Sequence, residues 1–579
     1  MKKLIILLFA GFTFLSGITS CSNQPPSEAA ASAVIHINQV GFLPESTKPA
    51  MVIDADGDDF TIETASGQEV LSGKLSDEKE WEDSGQRVRL ADFSSVREAG
   101  NYILKSGSAA PVDVVISPDA YTELVKASAK YYYFNRASTS LDEQFAGPYQ
   151  RPAAHPDTLS YIHATAASNE KPAGSVISTP YGWYDAGDYN KYIVNSGITT
   201  WTLMQAFLRN KALLSGLTWN IPESGNDVPD ILDEVRWNLE WMRSMQDPDD
   251  GGVYHKNTTA NFEGFVKPEE AQSKRYVTAK STAATLDFAA VMAKASVVYA
   301  DYDPEFSNSA LLQAEKAWEW AIQHPNEIFK NPKESGPDGP AVNTGEYGNV
   351  QVKDEFFWAA TELYLATGDQ TYADSIQIEE YGDFGVPAWP NVETLGLITL
   401  VTSDKASDEL KALASAQLQK LADQQMDAYN ASPVHITLNS YRWGSNSDIL
   451  NQGMVLIAAY DLTGNEEYLT AASSGLDYVL GRNATGYCFV TGFGNVYPMN
   501  VHHRPSASDD IAEPIPGMLA GGPNPNNMEQ DCGKDQYPDH HPAMAFADIE
   551  CSYSTNEVAI NWNAPLVYVS ASIQNSLSE

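Results

Sequence analysis

Basic residues are scarce in this chain of 579. Against 76 Asp and Glu stand 36 Lys and Arg, a formal charge of −40 with histidine neutral. Such a surface repels phosphate backbones and gains nothing from an anionic bilayer, so nucleic acid is excluded as a partner. Cysteine is scarcer still, at 4. Cys21, Cys488, Cys532 and Cys551 have no spacing that resembles a zinc site. Long apolar runs are confined to the first residues. There Lys2 and Lys3 precede an apolar stretch, Leu4 to Phe14, that is too short with its ending to span a bilayer.

That beginning reads as an export signal. Ile18-Thr19-Ser20-Cys21 resembles the bacterial lipoprotein cleavage box, which implies cleavage before Cys21 and a lipid on it. Residues 1–21 are then the signal and 22–33 a flexible tether. The expected location is the bacterial cell envelope, on the periplasmic or the surface face of the outer membrane, with the Cys21 lipid as the only membrane attachment. Export makes a disulfide feasible. Cys532 and Cys551 flank the approach to Glu557 and would staple that loop, whereas Cys488, in the apolar run Tyr487 to Val490, reads as a buried thiol.

What is present is globular: 43% hydrophobic, 19% charged and 11% aromatic residues, with 12 Trp and 29 Tyr. Residues 34–117 hold short β-type runs separated by Gly, Asp, Ser and Lys turns, as in a β-sandwich. No catalytic constellation lies in them, so a structural brace is favoured over a sugar-binding module. From residue 118 to 579 the chain reads as helical, with about twelve segments of 3.6-residue periodicity. Leu232, Val235, Leu239, Met242 and Met245, for example, share one face. With no short repeat, a toroid of six helical pairs is favoured over a repeat array. Long Gly-, Pro- and Asn-rich loops at residues 172–190, 247–275, 329–352 and 493–553 would build a cleft.

Three stretches carry chemistry. In F-A-D-I-E-C-S-Y-S-T-N-E-V-A-I-N-W-N-A, residues 546–564, Glu557 stands among apolar groups that disfavour its charge, as suits a general acid. The alternative is a helix N-terminus, with Thr555 or Asn556 as cap and Glu557 in the first turn. In S-T-P-Y-G-W-Y-D-A-G-D-Y-N-K-Y, residues 178–192, Asp185 and Asp188 are separated by two small residues and can converge on one water. A calcium loop or a helix cap is the alternative there. In V-T-G-F-G-N-V-Y-P-M-N-V-H-H-R, residues 490–504, His502, His503 and Arg504 supply donors. Adjacent histidines in an extended segment point apart, which argues against a shared metal.

Together with P-D-I-L-D-E at 229–234 and I-N-Q-V-G-F at 37–42, these stretches resemble glycoside hydrolase family 9, the inverting cellulases, in the form with an N-terminal immunoglobulin-like domain. The resemblance implies a multidomain chain, an immunoglobulin-like β-sandwich followed by an all-α (α/α)6 barrel. It also implies endo-acting hydrolysis of β-1,4-glucan by single displacement, with xyloglucan, mixed-linkage glucan or exo-action on cello-oligosaccharides as alternatives. Carried over position by position, Asp188 is the base, Asp185 holds the same water, and Glu557 is the acid. His502 and Arg504 hold sugar hydroxyls, and Trp183, Tyr189 and Trp562 stack on rings. Asp354-Glu355 resembles an acidic pair that helps to bind calcium, although V-Q-V-K before it departs from the usual Ser-Gly; a helix start is the alternative. No cofactor is needed for the chemistry, a structural calcium is left open, and a monomer is expected. A non-catalytic glycan-binding lipoprotein is the competing class, and the presence of both Asp188 and Glu557 argues against it.

Overall fold

The structure, a computed structural model, describes residues 33–336 and 339–578. The export signal, Cys21 and the tether up to residue 32 lie outside the described residues.

The first described part is a two-sheet sandwich. Strands β1 (Val34–His36), β2 (Pro49–Ile53), β3 (Asp59–Thr64), β4 (Glu69–Lys74), β5 (Lys79–Trp81), β6 (Gln86–Asp92), β7 (Gly100–Ser106) and β8 (Val112–Ile116) form it. One sheet runs β1-β2-β6-β5 and the other β4-β3-β7-β8, all pairs antiparallel. Period-two patterning sets the faces: along β7, Tyr102, Leu104 and Ser106 point inward. They join a core of Phe42, Val52, Phe60, Ile62 and Val114.

Helices follow in alternation, outer then inner. They are α1 (Thr122–Phe134), α2 (Ile193–Arg209), α3 (Asp230–Ser244), α4 (Thr282–Val298), α5 (Pro304–Gln323) and α6 (Lys353–Thr367). The second half holds the single-turn α7 (Gln370–Ala373), then α8 (Glu393–Thr402), α9 (Asp408–Ala431), α10 (Ser445–Thr463), α11 (Glu466–Val479) and α12 (Ile560–Leu577). The even-numbered helices form an inner ring, closed where α12 packs on α2. Composition dictates the layer. Inner α4 is apolar or small on every side apart from Asp287 and Lys294, and buries every residue but Val297. Outer α9 buries only Ala414, Leu418, Leu421 and Ala422, one stripe on a polar helix. Starts are marked by side-chain caps, with Ser281, Asp303 and Ser407 each accepting a main-chain N–H of the first turn.

The sandwich is seated on the barrel through the β1–β2 connection. Asn38 Nδ2 donates to Asp477 Oδ1 (2.8 Å), and Gln39 Nε2 to Gly486 O (2.8 Å). Gln39 Oε1 accepts from Asn495 N and Val496 N. The 486–496 loop is therefore held by a side chain from the other end of the protein, as a brace requires.

Two local expectations fail. The chain after residue 118 is not wholly helical, because the 160–277 connections assemble a small five-stranded sheet. Its order is Val176–Ile177, Ser160–Ile162, Tyr276–Val277, Lys256–Thr258, Lys191–Tyr192. Nor does Glu557 lie in the first turn of the last helix. It is extended (φ −69°, ψ 156°) and bridges His502 on one side, while Val558 bridges Ala520 on the other. Main-chain bonds from His502 N to Asn556 O and from Gly521 N to Glu557 O hold this short strand, and α12 starts only at Ile560.

Candidate active site

Asp185 and Asp188 lie on the turn that leads into Lys191–Tyr192 and α2, and both are buried. Their hydrogen bonding differs. Asp185 is engaged on both oxygens, Oδ1 by Asn195 Nδ2 (2.6 Å) and Oδ2 by Tyr347 OH (2.7 Å). Asp188 takes both of its donors, Asn190 Nδ2 and Tyr192 OH (3.0 Å), on Oδ2. Its Oδ1 has no protein donor among the described residues and is the oxygen left for a water. The turn is locked from below: Ile560 N, at the start of α12, donates to Asp185 O (2.9 Å).

Glu557 reaches the same turn. Gly187 N donates to Glu557 Oε1 (3.3 Å), so the acid and both aspartates surround one glycine. A Cβ on residue 187 would fall 2.3 Å from His502 O and 3.2 Å from Glu557 Oε1, which is why only glycine fits. Arg504 fixes the other side, donating from N and Nη1 (2.6 Å) to Gly187 O and from Nε to Glu263 O. Its guanidinium also lies near the Phe262 and Phe265 rings. Two of its five side-chain N–H groups are thus committed to the loops. His502 donates Nδ1–H to Glu550 O (2.7 Å) and stands edge-on to Phe265. Burial pushes it down to about 4, so it is neutral near pH 7.

Electrostatics separate the three carboxyls. Burial first, then the charges of Asp188 and Asp185, push Glu557 up to about 8, so it carries a proton at neutral pH. Burial likewise raises Asp185 and Asp188. For Asp188 the Arg504 charge and the two donors on Oδ2 oppose that rise, whereas for Asp185 the Asp188 charge adds to it. Two buried carboxylates this close resist double ionisation. Each has two side-chain donors that oppose the rise, so it is the Arg504 charge, acting on Asp188, that favours Asp188 as the charged member.

Above these groups is a cavity of about 420 Å³ lined by Asp185, Asp188 and Glu557 and by three tryptophans, Trp389, Trp443 and Trp562. Trp562 is where the sequence placed it. Trp183 and Tyr189 are not stacking residues. Trp183 is wholly buried, donating Nε1–H to Glu234 Oε1 (2.8 Å). Tyr189 is buried and donates to Val266 O (2.6 Å). Both support the Asp185–Asp188 turn from behind. Glu234, the last residue of P-D-I-L-D-E, pairs with Arg136 as well as with Trp183. Asn195, Tyr347, Trp389 and Trp443 escaped the sequence reading. Asn195 follows the D-A-G-D turn and Tyr347 lies in the 329–352 loop, whereas Trp389 and Trp443 sit in shorter connections that carried no signal.

Calcium pair and helix start are the two readings of Asp354 and Glu355, and the backbone places them in the first turn of a helix, α6, where both are buried. Asp354 Oδ2 accepts from Val392 N and Glu355 Oε1 from Asn349 Nδ2. Glu355 Oε2 and both Asp287 oxygens are buried without a partner. Among the described residues no three acidic, His or Cys side chains gather to hold a metal ion. Burial and the neighbouring acids raise Glu355 and Asp287 well above the usual carboxylate range. Cys532 and Cys551 are joined, their Cα atoms 5.5 Å apart. Cys488 is a buried free thiol, pushed up to about 12 by burial.

A twelve-helix toroid with two aspartates on a glycine turn facing a protonated glutamate has known counterparts. The glycosyl hydrolase family 9 domain matches residues 121–570 and the cellulase N-terminal ig-like domain residues 30–110. The chain belongs to glycosyl hydrolase family 9. It is a glycoside hydrolase. A xyloglucan-specific endo-beta-1,4-glucanase of Bacteroides ovatus is 42% identical over 98% of this chain and 98% of its own length. Endoglucanase D of Acetivibrio thermocellus is 33% identical over 99% of this chain and 87% of its own. Among solved structures, a Bacteroides ovatus family 9 protein superposes with a TM-score of 0.89 at 41% identity, covering 94% of this chain and 99% of that one. A thermostable endoglucanase from Alicyclobacillus acidocaldarius superposes with a TM-score of 0.85 at 31% identity, over 93% of this chain and 99% of that one.

Proposed function

We propose that this family 9 hydrolase is an endo-acting β-1,4-glucanase working by single displacement with inversion. Asp188 is the base, drawing a proton from a water that Asp185 helps to hold, and Glu557 gives its proton to the leaving oxygen. The observation that carries this is the shared glycine. Gly187 places a protonated carboxylic acid beside an anionic carboxylate with one free oxygen, under a tryptophan-lined cavity. Inversion needs such a pair on opposite sides of the scissile bond with room for one water. The reaction needs no metal, since attack and departure are both served by carboxyl groups.

Xyloglucan is the polymer favoured among β-1,4-glucans, because the 42%-identical relative over nearly the whole length is named for it. Incubation with xyloglucan, carboxymethylcellulose, barley β-glucan and cello-oligosaccharides, with product sizes followed over time, tests both parts. Early mid-chain fragments from xyloglucan are expected. Short sugars only, from the first minutes, would turn the reading to exo-action, and no reducing ends from any substrate would overturn it. Envelope anchoring through Cys21 rests on the cleavage box. Cys21→Ala is expected to move the protein from the membrane to the soluble fraction, and unchanged partition counts against the anchor.

A further inference from the structure

Lys256 is a buried base that this chemistry leaves unused. It lies in the strand Lys256–Thr258 and is fully buried. Its Cα faces that of Tyr192 across the antiparallel ladder. Residues directly opposite share a face, and Nζ stands 5.5 Å from the centre of the Tyr192 ring and 5.4 Å from that of Phe329.

Nζ donates to Asn331 Oδ1 (2.7 Å), Thr344 Oγ1 (3.1 Å) and Gly345 O (2.6 Å). Asn331 Oδ1 and Gly345 O can only accept and the Thr344 hydroxyl can also accept, so the site offers a partner to each of the three N–H groups of an ammonium. None of the three is a carboxylate. A buried charge with neutral partners costs stability. The titratable and charged groups that face it are Asp188, Glu346, Lys333, His255 and Tyr192. His255 is neutral, held down to about 3 by burial and by Lys256 itself. Lys333 is a largely exposed side chain, and Glu346 spends its carboxylate on Lys330 and Asn331 N. Asp188 remains as the buried anion. It is reached through Tyr192, whose ring faces the ammonium and whose OH donates to Asp188 Oδ2. Burial pushes Lys256 down to about 7 even with the Asp188 and Glu346 charges opposing the fall, so the ammonium is the form present below that pH, where the acid limb lies.

We propose that Lys256 is a positioning residue for the general base: its ammonium supports the anionic form of Asp188 through Tyr192 and staples to that strand the loop that brings Tyr347 onto Asp185. The inference rests on Asp188 being the base. Arg504 supplies positive charge from the side of Gly187, and Lys256 supplies it from the opposite strand. Asp188 stays charged between them although two other carboxyls crowd it.

The test is the full chain with Lys256→Met, which keeps the stem and removes the charge, assayed on a soluble β-1,4-glucan across pH. Removing an opposite charge raises a carboxyl pKa, and the base must be unprotonated to act. The acid limb of kcat is therefore expected to move up by about one pH unit, with kcat on that limb falling about tenfold and KM within about twofold. Lys256→Arg, which keeps the charge, is expected to return the limb towards its original place. A folded Lys256→Met with an unmoved acid limb overturns the proposal. Should it not fold, Tyr192→Phe removes only the connecting oxygen. The limb is expected to move the same way, and a limb left in place overturns the proposal equally. Asp188→Asn separates the two readings. Full turnover in that variant puts the base elsewhere, whereas its inactivity beside an unmoved limb in Lys256→Met sinks the Lys256 inference alone.

Discussion

Gly187 N donates to Glu557 Oε1, joining positions 370 residues apart in sequence. The turn that carries the two aspartates is thus hydrogen-bonded to the residue that faces them. Distance and direction between acid and base are set by one peptide unit rather than by two independent side-chain rotamers.

Gly187→Ala follows from this directly. The new methyl would meet His502 O at 2.3 Å, and that oxygen belongs to the main chain bridged to Glu557. The backbone has to move, and displacement of a reacting group by an ångström costs about 10²-fold in rate. A loss of kcat of that order is expected, with the melting temperature changed far less. Wild-type kcat in the alanine variant would mean that the glycine sets no geometry.

Removing the acid proton has a chemical fingerprint. Glu557→Gln is expected to lower kcat on a polysaccharide by about 10²–10⁴-fold. The loss should be much smaller on an aryl β-cellobioside whose phenolate leaves unaided. Asp188→Asn is expected to show no such rescue, since the leaving group does not replace a base. Calorimetric binding of a cello-oligosaccharide should persist in both. Equal losses on the two substrates for Glu557→Gln would contradict its role as proton donor.

The pH profile should fall on the alkaline side at about 8, where Glu557 gives up its proton. The sign is that of a carboxyl raised by burial: the active, protonated form is present below that value and lost as pH rises through it. Measurement of kcat/KM in buffers of constant ionic strength would read it. An alkaline limb near the ordinary carboxyl value would place the acid in a wet environment that this site does not have.

The disulfide is expected to matter more for activity than its size suggests. Cys532 and Cys551 close a loop with a sequence separation of 19, worth about 3 kcal/mol by chain entropy. At its neck Asp531, just before Cys532, accepts from Tyr537 OH (2.8 Å) inside the loop and from Ser554 Oγ (2.6 Å), which follows Cys551 and stands three residues before Glu557. The double variant Cys532→Ser, Cys551→Ser should melt lower and lose kcat even well below its melting range. Unchanged kcat there would show that the 552–556 segment is held without the bond.

Both domains and the three carboxyls were legible because each leaves a local mark. Alternation marks β7, the apolar circumference marks α4, and small residues between two acids mark the turn. Trp183 and Tyr189 were misread for a physical reason. Aromatics beside a catalytic turn look alike in sequence whether they face the cavity or support the turn. What decides is the partner, Glu234 for Trp183 and Val266 O for Tyr189, and those partners come from α3 and from the 247–275 loop. Tyr347 and Asn195 were invisible likewise, since their targets lie 162 and 10 residues away and no spacing announces them. The extended form of Glu557 was hidden because its main-chain partners, His502 and Gly521, belong to distant loops.

The seat of the sandwich and the closing helix also settle an order of events. The β1–β2 connection is synthesised first, yet the segment that Gln39 grips arrives 447 residues later. Glu557 comes later still, just ahead of the α12 helix that completes the ring on α1 and α2. A nascent or C-terminally clipped chain lacking α12 therefore holds an Asp185–Asp188 turn with nothing to donate to Asp185 O and no acid fixed opposite it. Competence thus waits on the segment from Glu557 through α12, and a chain clipped ahead of it is expected to be inert.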